Sequence, residues 1–305
     1  MGMYSTHKDM NIIEIRKNDV FLSVSRGFLV VKSNNEEVRK EPLVDIDTII
    51  VSGFGISYSH NLCIRLCEMN IPLILCGANY VPAGYLISHC SNYEFTGRMN
   101  VQLDASEPLK KRIWQAIIKK KIQHQRCVLL ENGDHARDFI KLIEKVRSGD
   151  PDNIEAQAAV RYWKRVFGKS FKRDFDEPGI NAFLNFGYAI IRSCAIRYCI
   201  AFGLLPSIGL HHHNKLNPYC LADDIIEPYR PYVDRKILTM HVGNEVVIKP
   251  LHKKEIADLY NERFIMDGKR LTLDHCMKQT VLSLVQSFKE KKNKIQFPEF
   301  YDKRS

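Results

Sequence analysis

The chain has 305 residues, enough for one large domain or two ordinary ones, each with its own core. Hydrophobic residues make up 45% and charged residues 26% of it, which excludes disordered and fibrous classes. The formal net charge of +10 favours a polyanionic partner and does not choose between nucleic acid and anionic lipid.

Cysteines and apolar stretches bear on the compartment. Nine cysteines lie at irregular spacings without a CxxC pair, which favours free thiols in a reducing compartment. The first ten residues lack the apolar stretch of a secretory signal, and Arg192 and Arg197 interrupt the longest apolar run, 188–205. We therefore expect a cytoplasmic protein that does not enter a membrane.

Short β-branched and aromatic runs, separated by polar turn clusters, dominate the first 90 residues. Ser59 has the character of a helix N-cap, and it predicts a helix over 61–70. This part of the chain should therefore be rich in strands. The predicted strands are 20–24, 28–32, 47–51, 72–76 and 80–87.

Helical periodicity dominates the rest of the chain. The pattern lapses over 89–100, so we place a domain boundary near residue 90. Predicted helices are 106–130, 135–148, 152–168, 178–203, 220–233, 252–262 and 272–290. The sequence thus predicts an α+β protein, with a small β-rich domain over 1–90 and a larger all-α domain over 91–305.

One acidic motif lies in the segment 221–231, LADDIIEPYRP. Asp224 and Glu227 are three residues apart and project from one helix face, with Asp223 turned away. A histidine triple, 211–213, precedes them in a loop. Carboxylates with an imidazole supply part of a shell for Mg²⁺ or Mn²⁺, and the imidazole favours Mn²⁺. The same spacing is explained equally well if the acids only stabilise the positive end of the helix dipole and the histidines form a polar loop.

A second acid, Glu155, lies near the start of the predicted helix 152–168, among small alanines that leave room for a ligand. Basic and aromatic residues follow it, with no acid through Arg173. Such a stripe suits phosphodiester chemistry, in which cations hold the backbone and a metal stabilises charge on the phosphoryl oxygens. A capping acid before a solvated basic face is the simpler account of this helix alone. The basic cluster between Lys110 and Lys121 is equally unspecific.

Two separated blocks together resemble one family. NIEAQAAVRYW, at 153–163, is similar to an E-x-x-A-A-x-x-Y-W block, and the segment 209–231 is similar to a G-x-x-H…L-x-x-D-x-x-E-x-x-R-P block. Both belong to CRISPR-associated protein one, the integrase of the spacer-adaptation module. Weaker likeness at 44–77 and 81–86 extends the resemblance in order over roughly 11–285.

The resemblance implies the residues of a metal site. His212 is chosen because it lies fifteen residues before Glu227, the spacing of the family's block. His211 and His213 flank it and remain alternatives. The implied ligands and catalytic residues are Glu155, His212 and Glu227, with Asp224 as a further acid.

The resemblance also implies a reaction and partners. A 3′-hydroxyl of a captured DNA fragment attacks a phosphodiester of repeat DNA, and water in its place makes the same site an endonuclease. Expected partners are double-stranded DNA, a second copy of the chain through its β-rich domain, and a small ferredoxin-like adaptation protein. The His-His-x-Asn form looks most like type II systems, which adds the effector nuclease and other type II adaptation proteins. Predicted DNA contacts are Arg161, Tyr162, Lys164, Arg165 and Arg230.

Two other functions are compatible with the composition. One is a non-catalytic DNA-binding scaffold in which the acids are structural, and the other is an RNA-processing metallonuclease of similar charge. Neither explains why both blocks occur in one chain.

Overall fold

A computed structural model describes residues 12–46, 48–69, 71–77, 82–86, 88, 93–240, 242 and 247–300. The chain separates into two compact units, Met1–Thr96 and Gly97–Ser305. The ends of three predicted elements, at positions 47, 70, 80–81 and 87, lie outside the described residues. No described helix is long and apolar enough to cross a membrane.

Two four-stranded sheets, one α-helix and a short 3₁₀ turn, Leu43–Asp45, lie in the described part of the N-terminal unit. The strands and the helix are β1 (Ile12–Ile15), β2 (Val20–Ser25), β3 (Phe28–Ser33), β4 (Glu36–Pro42), β5 (Thr48–Val51), β6 (Ser57–Tyr58), α1 (His60–Glu68), β7 (Leu73–Cys76) and β8 (Pro82–Leu86). In the first sheet β1, β5 and β7 are parallel, and β8 is antiparallel to β7. In the second, β2 pairs with β3 antiparallel and with β6 parallel. Ser59 caps α1 by accepting the N–H of Leu62 at 3.2 Å.

The C-terminal unit is mostly helical. Its helices and strands, beginning with the helix that contains the unit boundary, are α2 (Tyr93–Leu103), α3 (Glu107–Glu131), α4 (Arg137–Lys145), α5 (Ile154–Val166), α6 (Ile180–Ala201), α7 (Cys220–Ile226), α8 (Arg230–Thr239), α9 (Pro250–Ala257), β9 (Arg263–Met266), β10 (Lys269–Thr272) and α10 (Leu273–Lys289). The central element is α3, whose isoleucines at 113, 117, 118 and 122 are fully buried. Helices α4, α5 and α8 contact α3, so side chains from all four can share one site.

The prediction of an α+β protein is confirmed, with three local differences. The predicted helix 220–233 is broken at a 3₁₀ turn, Glu227–Tyr229, because Pro228 and Pro231 lack the N–H that a continuous helix needs. Helix α2 covers much of the segment where periodicity lapses. The C-terminal unit is not entirely helical, since β9 and β10 form an antiparallel hairpin.

We predict that Gly187 on α6 is required for packing against α8. A Cβ there would lie 2.3 Å from Cγ1 of buried Val233, which is branched and stiff. Gly187→Ala should lower the free energy of unfolding by about 1–3 kcal/mol, despite a better helix propensity. Chemical denaturation would measure the loss. Gly97→Ala on α2 is the matched control, because its Cβ would meet nothing within 4 Å; equal stability of both variants would contradict the prediction.

Candidate active site

Glu155 is positioned by the start of α5. The Asn153 side chain accepts the N–H of Ala156 at 3.3 Å. The Asp150 carboxylate accepts the N–H groups of Ile154 and Glu155 at 2.9 and 3.0 Å. These first-turn donors have no partner within the helix, so two side chains fix its beginning. The Glu155 side chain is three-quarters buried.

Glu227 is positioned by the break between α7 and α8. It opens the 3₁₀ turn, and its side chain is 7% exposed. Arg230 Nε donates to Glu227 Oε1 at 2.9 Å, and Lys121 Nζ donates to Glu227 Oε2 at 2.5 Å. A buried carboxylate with a cation at each oxygen stays ionised.

Lys121 joins the two predicted metal-ligand acids. Its Nζ also donates to Glu155 Oε1 at 2.5 Å, so carboxylates 72 positions apart in the sequence meet at one ammonium. Burial raises the pKa of Glu227, but the charges of Arg230 and Lys121 outweigh burial and hold it at about 2. For Lys121 burial acts in the other direction and lowers the pKa. The charges of Glu227 and Glu155 outweigh burial, so the pKa of Lys121 is raised.

His212 is held by Asp224, which is completely buried on α7. The Asp224 carboxylate accepts the backbone N–H groups of Leu210, His211 and His212 at 2.6, 3.0 and 3.3 Å. Nδ1 of His212 lies 2.5 Å from Asp224 Oδ1. Asp224 therefore shapes the histidine loop and orients one imidazole, leaving Nε2 as the other ring nitrogen for a ligand.

The three histidines have different environments. The ring of His211 stacks on Trp114 at 4.3 Å, and the ring of His212 meets Trp114 edge-on at 5.6 Å. Burial lowers the pKa of His211, whereas the hydrogen bond to Asp224 raises the pKa of His212 against burial. His213 makes no hydrogen bond or ring contact within the described part of the chain. His212 is therefore the best oriented of the three.

The donor set fits a divalent cation, although a side chain now lies between the acids. Among the described residues, no three His, Cys, Asp or Glu side chains are close enough to hold a metal ion. Glu155 and Glu227 nevertheless converge on one positive charge, and both acids contribute to the raised pKa of His212. Two carboxylates and an imidazole are ligand types that Mn²⁺ and Mg²⁺ accept.

The predicted DNA contacts divide into three groups. Arg161, Lys164 and Arg165 are exposed on α5, where Asp138 holds Arg165 at 2.9 and 3.1 Å and Arg161 at 3.6 Å. The prediction for Tyr162 is wrong, because its side chain is fully buried and its hydroxyl donates to Asp234 at 3.0 Å.

Arg230, in contrast, belongs to the wall of the site. Its guanidinium lies over the ring of Tyr188 at 4.6 Å and pairs with Glu227. A cavity of about 150 Å³ opens beside this pair. It is lined by Lys121, Gln125, Ala159, Trp163, Arg173, Tyr188, Glu227, Arg230 and Asp234.

Sequence analysis missed Lys121 as a site residue, because it lies in a basic cluster that had no specific feature. The position of Lys121 relative to the isoleucines of α3 could nevertheless have identified it. Ile117, Ile118 and Ile122 mark the buried face of α3, and Lys121 falls on that face, four residues after Ile117. A lysine at a core position needs an anionic partner.

We predict that Asp234 destabilises the protein as pH rises. It accepts hydrogen bonds from Tyr162 and Tyr188, yet burial raises its pKa from 3.8 to about 7. Between about pH 4 and pH 7 the unfolded chain ionises first, so this group lowers the free energy of unfolding by about 1.4 kcal/mol per pH unit. Asp234→Asn should therefore become increasingly stable relative to the native protein across that window, as measured by denaturant titration.

Asp138 supplies a control of opposite sign. Burial opposes ionisation there, but the hydrogen bond and charge of Arg165 prevail and lower its pKa. Its stabilisation exists above the unfolded pKa and is lost as pH falls through the folded pKa. Asp138→Asn should therefore lose stability relative to the native protein as pH rises. A stability difference that does not change with pH for Asp234→Asn would contradict the prediction.

The sequence is similar to known proteins over most of its length. Residues 13–255 match the family model of CRISPR associated protein Cas1. A CRISPR-associated endonuclease Cas1 from Neisseria meningitidis serogroup C (strain 8013) is 37% identical over 222 residues, which are 72% of each chain. The two sequence blocks had predicted this relationship.

The fold is similar to two solved structures. A casposase bound to integration product has a TM-score of 0.77 at 20% identity, covering 96% of this chain and 100% of that one. A partial Cas6-RT-Cas1–Cas2 complex has a TM-score of 0.72 at 18% identity, covering 94% and 98%. The family model and the Neisseria relative thus agree with the architecture, and the chain belongs to the Cas1 family of CRISPR-associated proteins.

Proposed function

We propose that this chain is a metal-dependent DNA integrase and endonuclease, which joins the 3′-hydroxyl ends of captured DNA fragments into repeat DNA by transesterification. The observation that carries the proposal is the convergence of Glu155 and Glu227 on one cation. Membership of a family with endonuclease members supports it.

Glu155, His212 and Glu227 are the proposed metal ligands. A bound Mg²⁺ or Mn²⁺ supplies Lewis-acid polarisation of the phosphodiester. Arg230 keeps Glu227 ionised at neutral pH, and Asp224 holds the His212 ring in one orientation. These contacts fix the charge of one proposed ligand and the ring orientation of another before substrate binds.

The exposed face of α5 is the proposed DNA-backbone surface. Lys164 has no ion pair among the described residues, whereas Arg161 and Arg165 share Asp138. A cation without an internal partner is free to neutralise a phosphate and release its counterion. Lys164 should therefore contribute most per side chain, with the two arginines available once DNA competes for them.

The proposed assembly follows the family. Double-stranded DNA, a second copy of this chain through the N-terminal unit, and a small ferredoxin-like adaptation protein are the proposed partners. One fold relative was solved with Cas2 and another with an integration product, which supports an adaptation protein and DNA as partners. A type II system, with its effector nuclease and other adaptation proteins, is proposed as the context. The eight described free cysteines support a reducing compartment, the cytoplasm.

The central test is strand transfer of a short duplex with 3′-hydroxyl ends into a supercoiled repeat-bearing plasmid, with the small partner and Mn²⁺ or Mg²⁺. His212→Ala should lower the yield of joined product by about 10²-fold or more, because a metal ligand is lost. His213→Ala, the adjacent residue without a hydrogen bond or ring contact in the described chain, should keep native activity. Equal product from His212→Ala and the native protein would overturn the assignment of His212.

A second test addresses the DNA surface. Lys164→Ala should weaken duplex binding regardless of sequence and reduce the slope of log K against log salt concentration by about 0.9. Fluorescence anisotropy at several salt concentrations would measure both changes. Lys289→Ala removes the same charge from an exposed position on α10 and should leave the slope nearly unchanged. An unchanged slope for Lys164→Ala would remove this residue from the proposed surface.

A further inference from the structure

We propose that Lys121 is an internal cation that competes with the divalent metal for Glu155 and Glu227. When metal binds, the Lys121 ammonium moves to a DNA phosphate. Metal and DNA therefore strengthen each other's binding. This inference rests on the proposed function and assigns to Lys121 a positioning role that couples the two ligands.

Competition follows from the geometry of the ammonium. Nζ of Lys121 lies 2.5 Å from one oxygen of each acid. A hard divalent ion needs oxygen ligands at about 2.1 Å, so ammonium and metal cannot hold both of these oxygens together. Lys121 must therefore leave at least one of these two oxygens before both can bind the same ion.

Charge balance connects metal binding to an anion. Glu155 and Glu227 carry two negative charges, and Lys121 and Arg230 carry two positive charges, so the cluster is neutral. A divalent ion adds two positive charges to a largely buried site, where uncompensated charge is costly. A DNA phosphodiester supplies one of the two negative charges that are then missing, and it is therefore expected to favour metal binding.

Lys121 can move, whereas Arg230 is fixed. The Arg230 guanidinium lies over the Tyr188 ring at 4.6 Å and donates to Glu227 at 2.9 Å. Lys121 carries its charge on a flexible four-carbon stem, and only two of its three N–H donors have acceptors among the described residues. Its donor capacity and its flexibility suit an ammonium that exchanges one anion for another.

The cavity beside the cluster gives the ammonium a destination. Lys121, Arg173 and Arg230 line it together with the carboxyl groups of Glu227 and Asp234, so three cations and two acids share one space of about 150 Å³. Small Ala159 and the amide of Gln125 also line it, and Oε1 of Gln125 has no hydrogen-bond partner among the described residues. A phosphate group matches the size of this space, and the cations that line it outnumber the acids.

The test measures Mn²⁺ binding rather than catalysis. Free Mn²⁺ is titrated by electron paramagnetic resonance against the full-length protein, with and without a short duplex, and a DNA-only titration is subtracted. Lys121→Met should bind Mn²⁺ about tenfold more tightly than the native protein without DNA, because the competitor is gone. DNA should raise the affinity of the native protein by a similar factor and that of Lys121→Met by clearly less.

Lys120→Met is the matched control, since the neighbouring ammonium pairs with Glu299 instead. It should behave as the native protein. If Lys121→Met does not fold without metal, Lys121→Gln, which is neutral but keeps a hydrogen-bond donor, should show the same change in the same direction.

Two outcomes separate this inference from the proposed function. Mn²⁺ binding that is lost in Glu155→Ala, but has native affinity and native DNA coupling in both Lys121 variants, would overturn the role of Lys121 alone. Mn²⁺ binding to the native protein that is unaffected by Glu155→Ala would overturn the metal site and this inference with it.

Discussion

The arrangement of the C-terminal unit depends on burying two carboxylates beside each other. Glu155 and Glu227 come from different elements, and like charges repel strongly where water is excluded. Lys121 and Arg230 offset that repulsion, with Lys121 bridging both acids. Removing one partner from such a cluster lowers the free energy of unfolding by about 3–5 kcal/mol. The cluster therefore holds α3, α5 and the turn before α8 together.

Each acid is supported by its own local structure. Asp150 and Asn153 fix the first turn of α5, which carries Glu155. Pro228 prevents α7 from continuing, so Glu227 begins a tight turn. Asp224 organises the loop that presents His212. The local backbone conformation at each acid is therefore set by its own neighbours, whereas the central cation holds the elements together. A divalent ion bound to the same two acids would hold those elements in turn, so one cation can replace another without rearranging the helices.

Site residues that lie close together in the sequence could be predicted from it, whereas contacts between residues far apart in the sequence were missed. Asp224 and Glu227 are close in the chain, so their spacing placed them together, and the two motif blocks linked them to Glu155. Lys121 was missed because its partners lie 34 and 106 positions away. Tyr162 was misplaced because a mixed basic and aromatic helix does not reveal which side its aromatic rings take. The hairpin of β9 and β10 had a local signal, Asp267-Gly268 at positive φ, which favours a tight two-residue turn.

Two buried carboxyl groups at the same cavity show how neighbours decide charge. Glu227 has Arg230 and Lys121 beside it, and its pKa is about 2. Asp234 has two tyrosine hydroxyls as donors, and burial raises its pKa to about 7. Hydroxyl donors stabilise an anion less than full cations do, so burial prevails at Asp234 alone. Glu227, a proposed metal ligand, is consequently fully charged at neutral pH, whereas Asp234 on the cavity wall is only about half ionised at pH 7.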